Sequence, residues 1–170
     1  AFAVNVLRDR FNIPIIGMEP AVKPALKVTL NKMVGVLATS GTSKSAKFSA
    51  LLEMYSGDVK FFVQPCPGLV NAIERGSFDD AELFGLLEKY LANFKKNSVD
   101  TIVLGCTHFV YIKHLVKKIM GTDIKIVDTS EAVARQLRVK LDEFNLRANS
   151  SETDEKMKLI LTKHKNIPQV

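Results

Sequence analysis

Residues 101–110 read TIVLGCTHFV. Four apolar or β-branched residues run into Gly105, and a thiol, a hydroxyl and an imidazole follow side by side at Cys106, Thr107 and His108. A short buried strand that passes through a glycine into a helix is the repeating unit of a parallel sheet. The same punctuation recurs along the chain. IPIIGM (13–18), MVGVLAT (33–39), VKFFVQP (59–65), VDTIVLG (99–105) and DIKIVDT (123–129) predict strands. Between them lie helical patterns: AVKPALKVTL (21–30) with Pro24 near its first turn, SKSAKFSALLEMY (43–55) with Phe48, Leu51, Leu52 and Tyr55 at three- and four-residue steps, LVNAIERG (69–76), and DDAELFGLLEKYLANFKKN (79–97) with Asp79 as its cap. YIKHLVKKIMG (111–121) is stopped by Gly121, and a long helix runs from about 130 to Leu146. RANSSETDE (147–155) reads as a loop and KMKLILTKH (156–164) as a last strand.

Strands alternating with helices imply right-handed crossovers and an α/β fold with a parallel sheet. Ligands of such sheets bind beyond the carboxyl ends of the strands. That rule selects ATSGT (38–42), QPCPG (64–68), GCTH (105–108) and VDTS (127–130) as the segments to examine.

Composition narrows the chemistry. The 170 residues are 46% hydrophobic and 25% charged, an ordinary globular balance, and no run approaches the roughly 20 apolar residues of a membrane span. Two cysteines, Cys66 and Cys106, are too few and too far apart for a disulfide framework or a thiolate metal site, and they fit a reducing compartment. The net charge of +6 comes from lysines at helical spacing, without interleaved aromatics, so a solvated basic surface is expected rather than a nucleic-acid site. The chain opens at Ala1 within an apolar-periodic segment, AFAVNVLRDRF, with no capping residue ahead of Phe2, Val6 and Leu7. This reads as a helix cut open, and the chain as a fragment or a processed product.

Cys106 follows a strand and precedes a helix start, where free amides and the helix dipole favour a thiolate; His108 could donate to it or shuttle its proton. The alternative is a small core residue, as free cysteines commonly are. Three polar groups at a buried strand end are costly without partners, which favours chemistry. Thr39 and Thr42 stand at another strand-to-helix turn, suited either to a carboxylate nest or to capping by Thr42 or Ser43. ATSGT lacks the lysine and spacing of a phosphate-binding loop. Cys66, between two prolines, reads as a packed turn residue, and Glu74 on the next helix as a surface acid.

The segments IPIIGMEPAVKPA, GVLATSGT, PCPGLVNAIERG and VLGCTHFVYI, in that order, resemble the latter part of the glutamate racemase family, within the aspartate/glutamate racemase superfamily. GCTH alone fits the wider superfamily; EPAVKPA with ATSGT narrows the likeness to the glutamate branch. The resemblance implies two pseudo-symmetric α/β domains, the second entire over residues 16–121, with 1–15 and 122–170 belonging to the first. It implies cofactor-independent, metal-free interconversion of L- and D-glutamate for peptidoglycan synthesis by two cysteines on opposite faces of the α-carbon. Cys106 matches the second of these, and the first belongs to a motif ahead of residue 1. His108 matches a position that assists the cysteine or contacts substrate, Thr107 one that contacts substrate, Thr39 and Thr42 hydroxyls near the substrate carboxylate, and Glu74 an acid near the site. Val110 stands where a proline is common. A cytoplasmic enzyme acting on a small molecule follows, with no nucleic-acid or membrane partner. A homodimer is expected from apolar surface left uncovered, and inactivity from the chain alone. A non-catalytic binder of acidic ligands, or a racemase of aspartate or another amino acid, remains open.

Overall fold

The computed structural model describes residues 3–57, 59–76 and 81–147. Asp79 as a cap, the loop beyond Arg147 and the strand at 156–164 lie outside the described residues. By backbone proximity the chain divides into two units, Ala1–Met18 with Ser130–Val170, and Glu19–Thr129.

The larger unit is built on four parallel strands, β1 (Met33–Ala38), β2 (Lys60–Pro65), β3 (Thr101–Leu104) and β4 (Lys125–Val127), in the spatial order β2-β1-β3-β4. β4, which falls in the 122–170 segment, pairs with β3 from Thr101↔Lys125 to Val103↔Val127. Helices α2 (Val22–Leu26), α3 (Ser40–Ser43), α4 (Ala46–Tyr55), α5 (Leu69–Glu74), α6 (Ala81–Lys96) and α7 (Lys113–Met120) surround the sheet.

The period-2 alternation of the strands separates two cores. Val34, Val36 and Val103 pack with Val22, Ala25 and Phe48 from α2 and α4. Leu37, Ile102 and Leu104 pack on the other face with Leu87, Leu91 and Phe94 of α6 and with residues of α5 and α7. Each fully buried Leu or Phe contributes about 1.5–3 kcal/mol. Gly35 belongs to this second face: a Cβ there would stand 2.6 Å from the Phe94 ring, so the bare strand is the seat of that ring. From β1 the chain steps to β2 on one side, then crosses back over β1 to β3. Right-handed crossovers in opposite directions send the intervening helices to opposite faces, as the two cores record.

Both elements predicted within residues 13–30 differ. IPIIGM forms no strand; the Ile15 carbonyl accepts instead from the Arg8 guanidinium at 3.0 and 3.2 Å, and an apolar run without a ladder partner is not a strand. The helix expected over 21–30 spans only Val22–Leu26. It ends because Asp100 draws off the following segment: its carboxylate accepts from Thr29 Oγ1 (2.7 Å), Leu30 N–H (2.6 Å) and Asn31 N–H (2.8 Å). Burial alone would raise the Asp100 pKa, but these bonds outweigh it and hold the carboxyl below its ordinary value.

In the smaller unit, α1 (Val4–Arg10) starts without a side-chain cap, and α8 (Ser130–Glu143) has no buried residue. Among the described residues no helix is long and apolar enough to cross a membrane.

Candidate functional site

The point where strand order reverses lies between β1 and β3, because β1 is followed in sequence by β2 on one side and neighbours β3 on the other. Thr39 leaves β1 there, Cys66 leaves β2 and Cys106 follows β3 by one residue, Gly105. Backbone pairing continues past the strand ends: Gly105 N–H donates to Leu37 O (2.8 Å) and Cys66 N–H to Ala38 O (2.9 Å). The three loops are thereby held side by side. Gly105 is required for this approach, since a Cβ there would lie 2.6 Å from Leu37 O, a backbone atom that cannot swing away. A glycine immediately before a candidate thiol was the only signal of that role in the sequence.

Cys106 does not open an α-helix. Its extended backbone (φ −140°, ψ 143°) caps a 3₁₀ segment, Thr107–Ile112, and α7 begins only at Lys113. The tight turn brings residue i+2 back over the cap, placing Cys106 Sγ 3.8 Å from His108 Nδ1, within sulfur hydrogen-bond range. His108 Nε2 lies 3.1 Å from Glu74 Oε1 at the end of α5. Thiol, imidazole and carboxylate therefore stand in line. In the tautomer with its proton on Nε2, His108 donates to Glu74 and its Nδ1 accepts from the Cys106 thiol. All three are open to water: Cys106 and His108 are half-buried and Glu74 is exposed. The expectation of a buried polar cluster is corrected accordingly. Thr107 faces solvent, and access rather than desolvation characterises this strand end.

At the neighbouring loop Thr39 caps α3, its hydroxyl accepting from Thr42 N–H at 3.2 Å, while the two threonine hydroxyls meet at 3.0 Å. The cap is thus Thr39 rather than Thr42 or Ser43, and Ser45 caps α4 separately. Both threonines are half-buried, with hydroxyl capacity left for a ligand.

Cys66 is a different kind of thiol. It is 3% exposed, its Sγ lies 3.3 Å from Gln64 O, and the adjoining Pro67 carbonyl accepts from Tyr90 Oη at 2.6 Å. Burial pushes the Cys66 pKa up from 9.0 to about 12, against a lowering by the Ala38 backbone contact, and the nearby Cys106 adds to the rise. It is a packed residue, as its place between prolines suggests. Among the described residues no three His, Cys, Asp or Glu side chains are grouped to hold a metal ion.

Known proteins are similar to this chain in sequence and in fold. The family described as Asp/Glu/Hydantoin racemase matches residues 1–137. A glutamate racemase of Pseudomonas paraeruginosa is 49% identical over 138 residues, covering 81% of this chain and 52% of its own length. One from Stutzerimonas stutzeri is 46% identical, covering 90% of this chain and 58% of its own length. The chain thus spans about half the length of the curated relatives it matches. Among solved structures, Escherichia coli glutamate racemase in complex with L-glutamate and the activator UDP-MurNAc-Ala superposes with a TM-score of 0.75 at 28% identity, covering 82% of this chain and 53% of that one.

Proposed function

Because the chain belongs to the Asp/Glu/Hydantoin racemase family, we propose that it provides one catalytic face of a cofactor-independent glutamate racemase. The line Cys106–His108–Glu74 at the point of strand reversal carries this reading. Deprotonating an amino acid α-carbon needs a base held against it and a stabilised carboxylate. Cys106 as thiolate removes the α-proton on one face, and as the thiol so formed it returns one. His108 takes the thiol proton at Nδ1, and Glu74 receives the Nε2–H, so the imidazolium formed is paired at once. Thr39 and Thr42 offer hydroxyls, and the α3 amides further donors, to the substrate carboxylate, whose charge grows as the proton leaves. Thr107, in the open loop beside them, contacts the substrate's polar end.

Inversion needs a second acid on the opposite face. This chain has two cysteines, and Cys66, buried with its pKa near 12, is unfit for that role. We therefore assign to this chain alone exchange without inversion, with the second thiol supplied by the companion domain of the two-domain plan. The second domain is read over residues 16–121, most of which falls in the unit Glu19–Thr129, and residues 1–15 and 122–170 are read as parts of the first. A cytoplasmic role in peptidoglycan precursor supply, and a homodimer formed through exposed apolar residues such as Val6, Phe11 and Leu137, complete the proposal.

The test is incubation of the chain with L-glutamate in heavy water, following deuterium at Cα and optical rotation separately. Slow deuteration with retained configuration is expected, abolished in Cys106→Ser. Inversion at an enzymatic rate would overturn the one-face assignment, and exchange that persists in Cys106→Ser would remove Cys106 from the chemistry.

A further inference from the structure

The lysines spread along residues 113–125 do not all stand alone in water. Lys113 and Lys117, one turn apart on α7, and Lys125 on β4 line a single cleft of about 340 Å³ at the β4 edge of the sheet, entirely within the unit Glu19–Thr129. It shares no residue with the Cys106 site. Lys113 Nζ is paired with Asp128 Oδ2 at 3.1 Å. Among the described residues no ion pair engages Lys117 or Lys125. Three ammonium groups less one carboxylate leave two positive charges around one concavity.

Besides the lysines and Thr122, the lining carries apolar side chains. Ile124 is 7% exposed, Ile126 is half-buried, and Val28 reaches in from the segment after α2 with 39% of its surface exposed. Like charges gathered on a concave, low-dielectric wall repel one another and focus a positive potential, which a seated anion relieves. Lysine gives compact point charges that can surround a phosphoryl group from several directions, whereas arginine would favour planar, bidentate pairing. A phosphate monoester carries a charge of about −1.5 to −2 at neutral pH, which matches the two uncompensated lysines. Thr122, also on the lining, carries a hydroxyl that can donate.

We propose that this cleft binds a small organic phosphate monoester, with its phosphoryl group among Lys113, Lys117 and Lys125 and its apolar body on Val28 and Ile126. The site is independent of the racemase chemistry and can be tested without an activity assay. Phenyl phosphate titrated into the ¹⁵N-labelled chain should give saturable shifts confined to the amides of residues 113–127 and of the segment around Val28. Lys117 and Lys125 are exposed, so replacing them leaves the core intact. Lys117→Gln with Lys125→Gln should weaken binding about tenfold or more, the loss expected for charged hydrogen bonds. Lys89→Gln, an exposed lysine on α6, should leave binding unchanged. Inorganic phosphate should bind more weakly than phenyl phosphate because it has no apolar body. Equal affinity for the two anions, shifts spread over every lysine-bearing helix, or binding unaffected in the double variant would overturn the proposal in favour of a general counter-ion atmosphere.

Discussion

Glu74 Oε1 lies 3.1 Å from His108 Nε2, although 34 residues separate the two in sequence. The contact exists because α5 leaves β2 and the 3₁₀ segment leaves β3 at the same end of the sheet. It converts a Cys–His pair into a three-membered line. The Glu74 and His108 side chains are 59% and 37% exposed, so the pair adds little to stability; in the proposed function it orients the imidazole.

Glu74→Gln should therefore leave the unfolding midpoint nearly unchanged while slowing Cα–deuterium exchange of glutamate about tenfold. Cys106→Ser should cost roughly a hundredfold or more, the range of an acid–base group. Glutamine keeps an acceptor for the Nε2–H but removes the carboxylate charge, so an exchange rate unchanged in Glu74→Gln would reduce Glu74 to a surface acid.

Thr39 and Thr42 separate cap from ligand. Thr39→Val removes the α3 cap and should cost about 1 kcal/mol of stability. Thr42→Val leaves that cap hydroxyl in place and should weaken glutamate binding by about 1.5–3 kcal/mol, the value of a hydrogen bond to a charged group. Calorimetric titration of both variants, beside their thermal midpoints, distinguishes the two roles. Full affinity in Thr42→Val would remove its hydroxyl from the site.

The two thiols should differ in reactivity. In the folded chain at about pH 8, iodoacetamide should modify the accessible Cys106, while Cys66 should be labelled only after unfolding; peptide mass mapping reads both. The raised Cys66 pKa also sets a pH dependence. Folding favours the neutral thiol, so this contribution is complete below the ordinary value of 9.0 and declines as pH rises from there toward about 12, where the folded thiol itself ionises. Urea midpoints should fall across that alkaline window, and Cys66→Ala should flatten the fall.

Gly105→Ala should destabilise the chain by about 1–3 kcal/mol, the usual cost of forcing atoms into a packed site, because the added methyl meets Leu37 O at 2.6 Å. Gly41→Ala, with nothing within 4 Å of the new Cβ, serves as the control. If both variants melt alike, the close approach of the β1 and β3 ends is not under constraint.

The sequence by itself determined the sheet. Strands at MVGVLAT, VKFFVQP, VDTIVLG and DIKIVDT stand where their apolar runs predict, because short β-branched runs bounded by turn residues and separated by helical patterns admit few other arrangements. Cys106, Thr39 and Thr42 were legible as candidates for the same reason: the carboxyl ends of parallel strands are known once the strands are. Glu74 became a candidate only through family resemblance, since nothing local to LVNAIERG sets it apart from a surface acid. Tertiary structure decided what depends on partners distant in the chain. Asp100 ended α2 early by capturing the Leu30 and Asn31 amides, 70 and 69 residues away. IPIIGM, with apolar content but no ladder, stayed irregular. The two cysteines, read apart in the sequence from their neighbours alone, were given their environments by burial: Cys66 is a thiol whose pKa is pushed up to about 12, and Cys106 is open to water beside an imidazole. Local pattern specifies which backbone forms; desolvation and charge at a site follow from which surfaces the fold lays over it.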